Sequence, residues 1–573
     1  MSRFVFRFEY ALYAAAFLLA LFLRAWGAAS QPLTDGEAAL ALQALALSNG
    51  QDVVIGPHPA YLTLTTGLMA IFGGVDWTPR FWPVLAGSLL VLVPALFRFR
   101  LGRVPAVILA FALAIDPLLL GISRTAGSLP LALLFVLLAA GALMHRRFAA
   151  AGIALGMALL SGPQGWFGLL GLGVALLLWN QADALNAMPH LAEQKPTAGD
   201  WQRMALFAVG TIFFAGTLFL AVPTGISAMT GGLAAMLGGW GSFTGAPIPL
   251  TLTGLLLFEF LPLLLGLWGA VVGIIHRNRG DLLLLTWFAA ALLIVIAYPA
   301  RQPADLAWAV IPLWALAARQ IARLTMLPSA DRLPAYGQSV LAAVILSFVS
   351  VTIIGATGVP ETLMQTVFWL KVVGALMMVG ASAWLISWGW SAQIGMRGLA
   401  IGVIVVLLAY SLSAAWDTVG LSGKSGRLFW TQESQPEEVD LLAQTLRDLR
   451  AWGPVQSGGP DLIVVNLDSP ALRWVLRDFT RVRYAAQAPV DVRPALVISP
   501  YQPDLVLPAA YRGQDFTLAR REQWSQLNPV QWFRWMVFRT LPPGLEEREQ
   551  VILWARTDLF PGEDAQAANT TDN

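Results

Sequence analysis

The sequence predicts a mainly α-helical protein that crosses a membrane about thirteen times and ends in a small α/β domain. Three observations predict it. Of 573 residues, 57% are hydrophobic and 12% charged, with mean hydropathy +0.65, and a water-soluble chain would carry roughly twice that charge. Apolar runs of about 18 to 25 residues recur, the length that crosses a hydrocarbon core. From about residue 417 charges become frequent and short β-like runs replace the long apolar ones.

The apolar runs fall near 10–27, 81–99, 104–121, 127–144, 148–161, 166–181, 203–222, 251–275, 281–298, 306–318, 337–356, 365–388 and 397–414. The first is about as long as a signal-peptide core, but further spans follow, so it reads as a retained anchor. With Arg3 and Arg7 on the cytoplasmic side, the inner connections hold Arg98, Arg100 and Arg103; Arg146 and Arg147; Lys195 and Arg203; Arg277 and Arg279; Arg319, Arg323 and Arg332; and Arg397. The outer connections hold chiefly Arg80, Arg124 and Arg301. This asymmetry is the positive-inside pattern, and it places the polar C-terminal segment outside.

Residues 59–73 are too short for a span and contain three threonines. Counting them as one would also put the later arginines outside, so they read as an interfacial helix. The first outer loop, about 28–80, therefore carries two such helices.

The domains expected are a membrane domain over 1–416, an extracytoplasmic α/β domain over 417–561 and a disordered tail over 562–573. In the second, a helical run at 441–450 precedes β-like runs at 462–465, 481–484, 495–498 and 551–554. A helical pattern around 471–479 separates the first two strands, which suggests a partly parallel sheet. The chain has no cysteine, which excludes disulfides and thiol chemistry. Its histidines, His58, His145, His190 and His276, lack metal-ligand spacing, and nothing points to nucleic acid.

The polar residues that stand out lie at outer helix ends. Pro32-Leu-Thr34-Asp35-Gly36-Glu37 opens an amphipathic helix beside lipid, where carboxylates are costly. Thr34 or Asp35 suits an N-cap and Glu37 suits the helix dipole. Alternatively, one carboxylate faces a cavity and removes a proton from an acceptor hydroxyl. His58, before Pro59, starts the second interfacial helix, as an active-site contributor or an interface residue. Arg301 and Gln302 lie in Tyr298-Pro-Ala-Arg301-Gln302-Pro, where a guanidinium either holds a phosphate or snorkels to head groups. Arg80 and Arg124 face the same side, lining the site or anchoring the interface. The loop at 223–249 is rich in Gly, Thr and Ser and long enough either to close over a substrate or merely to connect. Trp524, Trp532 and Trp535 read as domain core or docking surface rather than a ligand box.

These pieces resemble the GT-C membrane glycosyltransferases, in particular the bacterial and archaeal branch of the protein mannosyltransferase-like family 39 group. The matching stretches are Asp35-Gly-Glu37-Ala, Gly56-Pro-His58-Pro59-Ala-Tyr61, Pro79-Arg80-Phe-Trp, the 298–312 stretch, and Ser469-Pro-Ala-Leu-Arg473-Trp474-Val-Leu-Arg477-Asp478-Phe. The resemblance implies an inverting, prokaryotic cell-membrane transferase that takes a sugar from a polyprenyl-phosphate donor. The acceptor would be a protein, lipid or glycan on the outer face. Asp35 or Glu37 would be the base, with His58, Arg80, Arg124, Arg301 and Gln302 binding substrate or lipid phosphate. Related enzymes also admit a divalent metal. Two departures stand out: the family's adjacent Asp-Glu is split here by Gly36, and segment 124–128 lacks a carboxylate many relatives carry there. A non-catalytic partner in lipid-linked sugar export is the alternative.

Overall fold

In the computed structural model the described residues are 2–179, 196–357, 363–420, 429–430, 432–452, 462–479, 481–488, 492–539 and 541–560. The tail expected at 562–573, together with His190 and Lys195, lies outside them. The chain opens with α1 (Ser2–Ala25), α2 (Asp35–Ser48), α3 (Pro59–Phe72) and α4 (Thr78–Leu90), followed by a short α5 (Arg98–Leu101). Then come α6 (Arg103–Ile115), α7 (Pro117–Ser123), α8 (Leu129–Met144), α9 (Phe148–Leu160) and α10 (Pro163–Leu178). Among the described residues six helices are long and apolar enough to cross a bilayer, or eight if each of two bent pairs is one span. At 14 residues, apolar α3 spans only about 21 Å, short of a hydrocarbon core.

The bundle is organised around the Ala307–Thr325 helix, which is buried over nearly its whole length. In a bilayer no hydrophobic effect drives one helix against another, so such a helix packs by close backbone approach at small residues. Gly266 provides this on the neighbouring Phe260–Ile275 helix, where a side chain would meet the Leu313 carbonyl at 2.9 Å.

Two helices break within the bundle, each at a carboxylate. The α6–α7 pair bends by 56° at Asp116, and the Ile248–Phe258 and Phe260–Ile275 pair bends by 89° at Glu259. Both acids are fully buried. Asp116 accepts from the backbone N–H of Leu119 (2.7 Å), capping α7 at the break, and from Trp314 Nε1 (2.6 Å). Asp116→Ala should therefore cost about 2–4 kcal/mol, because two buried donors lose their acceptor. Asp116→Asn keeps an acceptor and should cost less, as thermal unfolding in detergent would show.

After the last bundle helix (Ala392–Thr418) comes a six-stranded mixed sheet. Its strands are β1 (Gln435–Pro436), β2 (Leu462–Val465), β3 (Val482–Ala485), β4 (Leu496–Pro500), β5 (Tyr511–Glu522) and β6 (Glu546–Arg556), in the order β1-β5-β6-β4-β2-β3. The β2–β3 and β2–β4 pairs are parallel, and the other pairs are antiparallel. Sequence reasoning missed β5, which opens on the polar run Tyr-Arg-Gly-Gln-Asp and buries only Phe516 and Leu518. It pairs antiparallel with β6 from Tyr511 to Glu522, with a bulge between Thr517 and Ala519.

The domain seats on the bundle through an aromatic core. Phe258 and Trp430 lie 4.7 Å apart between ring centroids, and Trp524 and Trp535 lie 5.2 Å apart edge to face. The Arg539 guanidinium stacks over Trp535 at 4.7 Å. The Gly-rich stretch at 223–249 contains the Gly225–Gly238 helix and is pinned to the neighbouring basic stretch: Gly245 and Ala246 donate to Pro299 and Arg301, and Tyr298 Oη donates to Met236.

Candidate active site

Helix α2 begins with a capping box. Thr34 N–H donates to Glu37 Oε2 (3.1 Å), and Glu37 N–H donates to Thr34 Oγ1 (3.4 Å). That box turns the Glu37 carboxylate inward. There Arg80 meets it in a fork, Nε to Oε1 at 2.8 Å and Nη2 to Oε2 at 2.6 Å, with the two side chains 1% and 3% exposed. Arg80 also donates to the carbonyls of Ala28 (2.6 Å), Gln31 (2.7 Å) and Pro32 (3.0 Å), which fixes the turn leading into α2. Ala126 N–H adds a bond to Glu37 Oε1 at 2.7 Å.

Arg124 likewise serves the backbone. Its Nη1 donates to the carbonyls of Leu23, Arg24 and Trp26, and its Nη2 to Val419. A cation thereby closes the C-terminal end of α1, where helix carbonyls have no intrahelical partners.

His58 lies at the other end of the same segment, its Nδ1 2.8 Å from Ser128 Oγ. Segment 124–128 thus joins α1, Glu37 and His58. Burial pushes the imidazole from its ordinary 6.5 down to about 4. Charging is therefore harder in the folded state than in the unfolded one, and protonation favours unfolding. Stability from this site should be complete above about pH 6.5 and be lost as pH falls towards 4. Thermal midpoints of wild type and His58→Gln should converge on acidification through this window.

Asp35 points away from this cluster and is exposed. Its Oδ1 accepts from Ser469 Oγ at 2.7 Å and from Ala471 N–H at 2.9 Å, so it caps the Pro470–Val475 helix of the C-terminal domain together with Ser469. Its Oδ2 accepts no hydrogen bond from the described residues. The same stretch of the domain grips the first loop further along. Trp474 Nε1 donates to Asp76 (2.9 Å), and Arg477 pairs with Asp76 (3.0 Å) and donates to the Gly74 carbonyl (3.0 Å).

The absence of a side chain at Gly36 leaves room for a carboxylate. A Cβ there would collide with the Glu433 carboxylate, which lies across the start of α2. On β6, burial and the neighbouring Asp35 push the Glu549 carboxyl above its ordinary value. Neither acid carries a motif in the sequence. Ser469-Pro470 does read as a helix start, the one local signal of this docking surface.

Arg301 stands apart from these groups. Its Nη1 donates to the Ala246 carbonyl at 2.9 Å, and its buried Nε has no hydrogen-bond partner among the described residues. Gln302 N–H donates to Asp305 (2.8 Å). The site thus has a locked carboxylate–guanidinium pair, an exposed carboxylate two residues away, and a guanidinium with an unused donor.

Fold and site together give a bundle of apolar helices, several long enough to cross a bilayer, with an appended six-stranded sheet domain. The crystal structure of ArnT from Cupriavidus metallidurans bound to undecaprenyl phosphate aligns with a TM-score of 0.50 at 16% identity, covering 98% of this chain and 100% of that one. The same protein in its apo state aligns at 0.49 and 15%, covering 96% and 98%. The Archaeoglobus fulgidus oligosaccharyltransferase complex with zinc and sulfate aligns at 0.41 and 14%, covering 85% and 68%. At such identities the likeness to the first structure establishes the fold. No protein-family model and no curated protein matches the sequence.

Proposed function

We propose that this protein is a membrane glycosyltransferase moving a sugar from a polyprenyl-phosphate-linked donor to a protein, lipid or glycan acceptor on the outer face of a prokaryotic membrane. The reading includes about thirteen spans, a cytoplasmic N-terminus and an extracytoplasmic C-terminal domain. The observation that carries it is the division of labour at the head of α2. Glu37 is bonded on both oxygens, whereas Asp35 keeps Oδ2 for a proton.

In a single displacement Asp35 Oδ2 takes the acceptor hydroxyl proton as that oxygen bonds to the anomeric carbon. The carbon–oxygen bond to the carrier phosphate breaks on the opposite face, inverting the configuration. Polyprenyl phosphate leaves with the bonding electrons, and Arg301 stabilises the charge that develops there. Glu37 and Arg80 hold α2 in place, and His58 orders segment 124–128.

One observation favours the second reading, a non-catalytic partner in lipid-linked sugar export: Asp35 is clasped by the C-terminal domain. The test is an assay of the full-length protein in vesicles with labelled polyprenyl-phosphate sugars and envelope acceptors. Label transfer with release of polyprenyl phosphate supports the transferase. Wild type that transfers nothing from any such donor supports the partner.

A further inference from the structure

We infer that the end of the helical bundle remote from Asp35 holds one acyl chain of an acidic glycerophospholipid in an intramembrane cavity, with the lipid phosphate on Arg100, Arg279 and Arg319. The cavity has a volume of about 550 Å³, within the range that buries small ligands. Its walls are aliphatic, with Leu109, Leu113, Leu137, Leu172, Leu284 and Ile311 among them. Among the described residues that line it, three are arginines, these three, and none is acidic. An apolar tube ending in guanidiniums matches an amphiphile with an anionic head, because hydrocarbon fills the walls while a phosphate satisfies several donors at once.

The mouth is built for an anion in a second way. The Arg279–Ala297 helix starts in the cavity lining behind its Asn278 cap, so its N-terminal dipole adds to the positive potential there. Gly280 lets Arg319 approach: a Cβ at that position would run into the guanidinium. Asp281 pairs with Arg319 (2.9 Å) and also with Arg323, so one carboxylate orients two cations.

This phosphate position is separate from Arg301 and does not depend on the function proposed above. Helix α8 starts beside Ser128, the partner of His58, and runs 16 residues, about 24 Å, to Met144 on the cavity. The Arg279–Ala297 helix runs 19 residues, about 28 Å, from the mouth to the Tyr298–Arg301 turn. Those lengths approach a full hydrocarbon thickness, so the two phosphate positions lie at opposite faces.

The test uses full-length protein purified in a neutral detergent, with lipid retention read by native mass spectrometry. The probes are phosphatidylglycerol, phosphatidylcholine with identical chains, and a polyprenyl phosphate. Phosphatidylglycerol should be retained at one per chain and exceed phosphatidylcholine by roughly tenfold or more. An Arg100→Gln/Arg279→Gln double variant should lose that preference, and Ala140→Trp, which fills the cavity, should retain neither phospholipid. Equal retention of the two phospholipids by wild type, or undiminished retention by Ala140→Trp, overturns the proposal. So does displacement of phosphatidylglycerol by the polyprenyl phosphate, which would assign the cavity to the sugar carrier.

Discussion

Asp35→Asn is expected to lower sugar transfer by about 10²- to 10⁴-fold, the usual contribution of a general base, with little change in the thermal midpoint. The separation of the two effects follows from geometry. An asparagine side-chain oxygen can still accept from Ser469 Oγ and Ala471 N–H, so the grip on the Pro470–Val475 helix survives. What disappears is the ability to take a proton. The comparison variant is Asp35→Ala, which removes both the base and the cap. It should lose transfer to the same extent and also loosen the C-terminal domain, seen as faster proteolysis at that junction. Full transfer by Asp35→Asn in the vesicle assay would remove Asp35 from the chemistry.

Glu37→Gln should act through stability. It leaves the Arg80 guanidinium buried without its counter-charge, and breaking one side of such a pair costs about 3–5 kcal/mol. Arg80→Met should cost a similar amount, because Glu37 is then stranded and the carbonyls of Ala28, Gln31 and Pro32 lose their donor. The double variant should cost less than the sum of the two, since the second change removes a charge that the first had left unpaired. Detergent unfolding curves of the four proteins measure this directly. If Glu37→Gln instead folds with wild-type stability and loses all transfer while Asp35→Asn works, the roles of the two carboxylates are the reverse of those proposed.

Much of this was legible along the chain because the signals are local. The Thr34–Glu37 box, Pro59 at the start of α3 and the Ser469-Pro470 helix start each act within three or four residues. In the sequence Arg80 and Arg124 read either as lining the site or as anchoring the interface at the outer ends of spans. The structure turns both towards backbone carbonyls of 23–32, with Arg80 also on Glu37. A composition argument sees a costly cation near lipid, but not the ring of carbonyls that satisfies it. Glu433 and Glu549 carry no signal of their own, because their relevance arises only where the sheet domain meets α2. Strand β5 was missed because its alternation is blurred by Arg, Gln and Asp.

The sequence by itself determined the helical membrane architecture, the positions of the first-loop helices and the presence of two carboxylates at the head of α2. Length, apolarity and capping chemistry are properties of near neighbours, and near neighbours are what a sequence displays. Only the tertiary structure shows which of those carboxylates is paired and which is exposed. Asp35 and Glu37 lie two positions apart, about 200° around the helix, so they look in opposite directions. Glu37 meets Arg80, 43 residues away, and Asp35 meets Ser469, 434 residues away. Which carboxylate is locked and which keeps an open oxygen depends on what the fold brings to each face of α2.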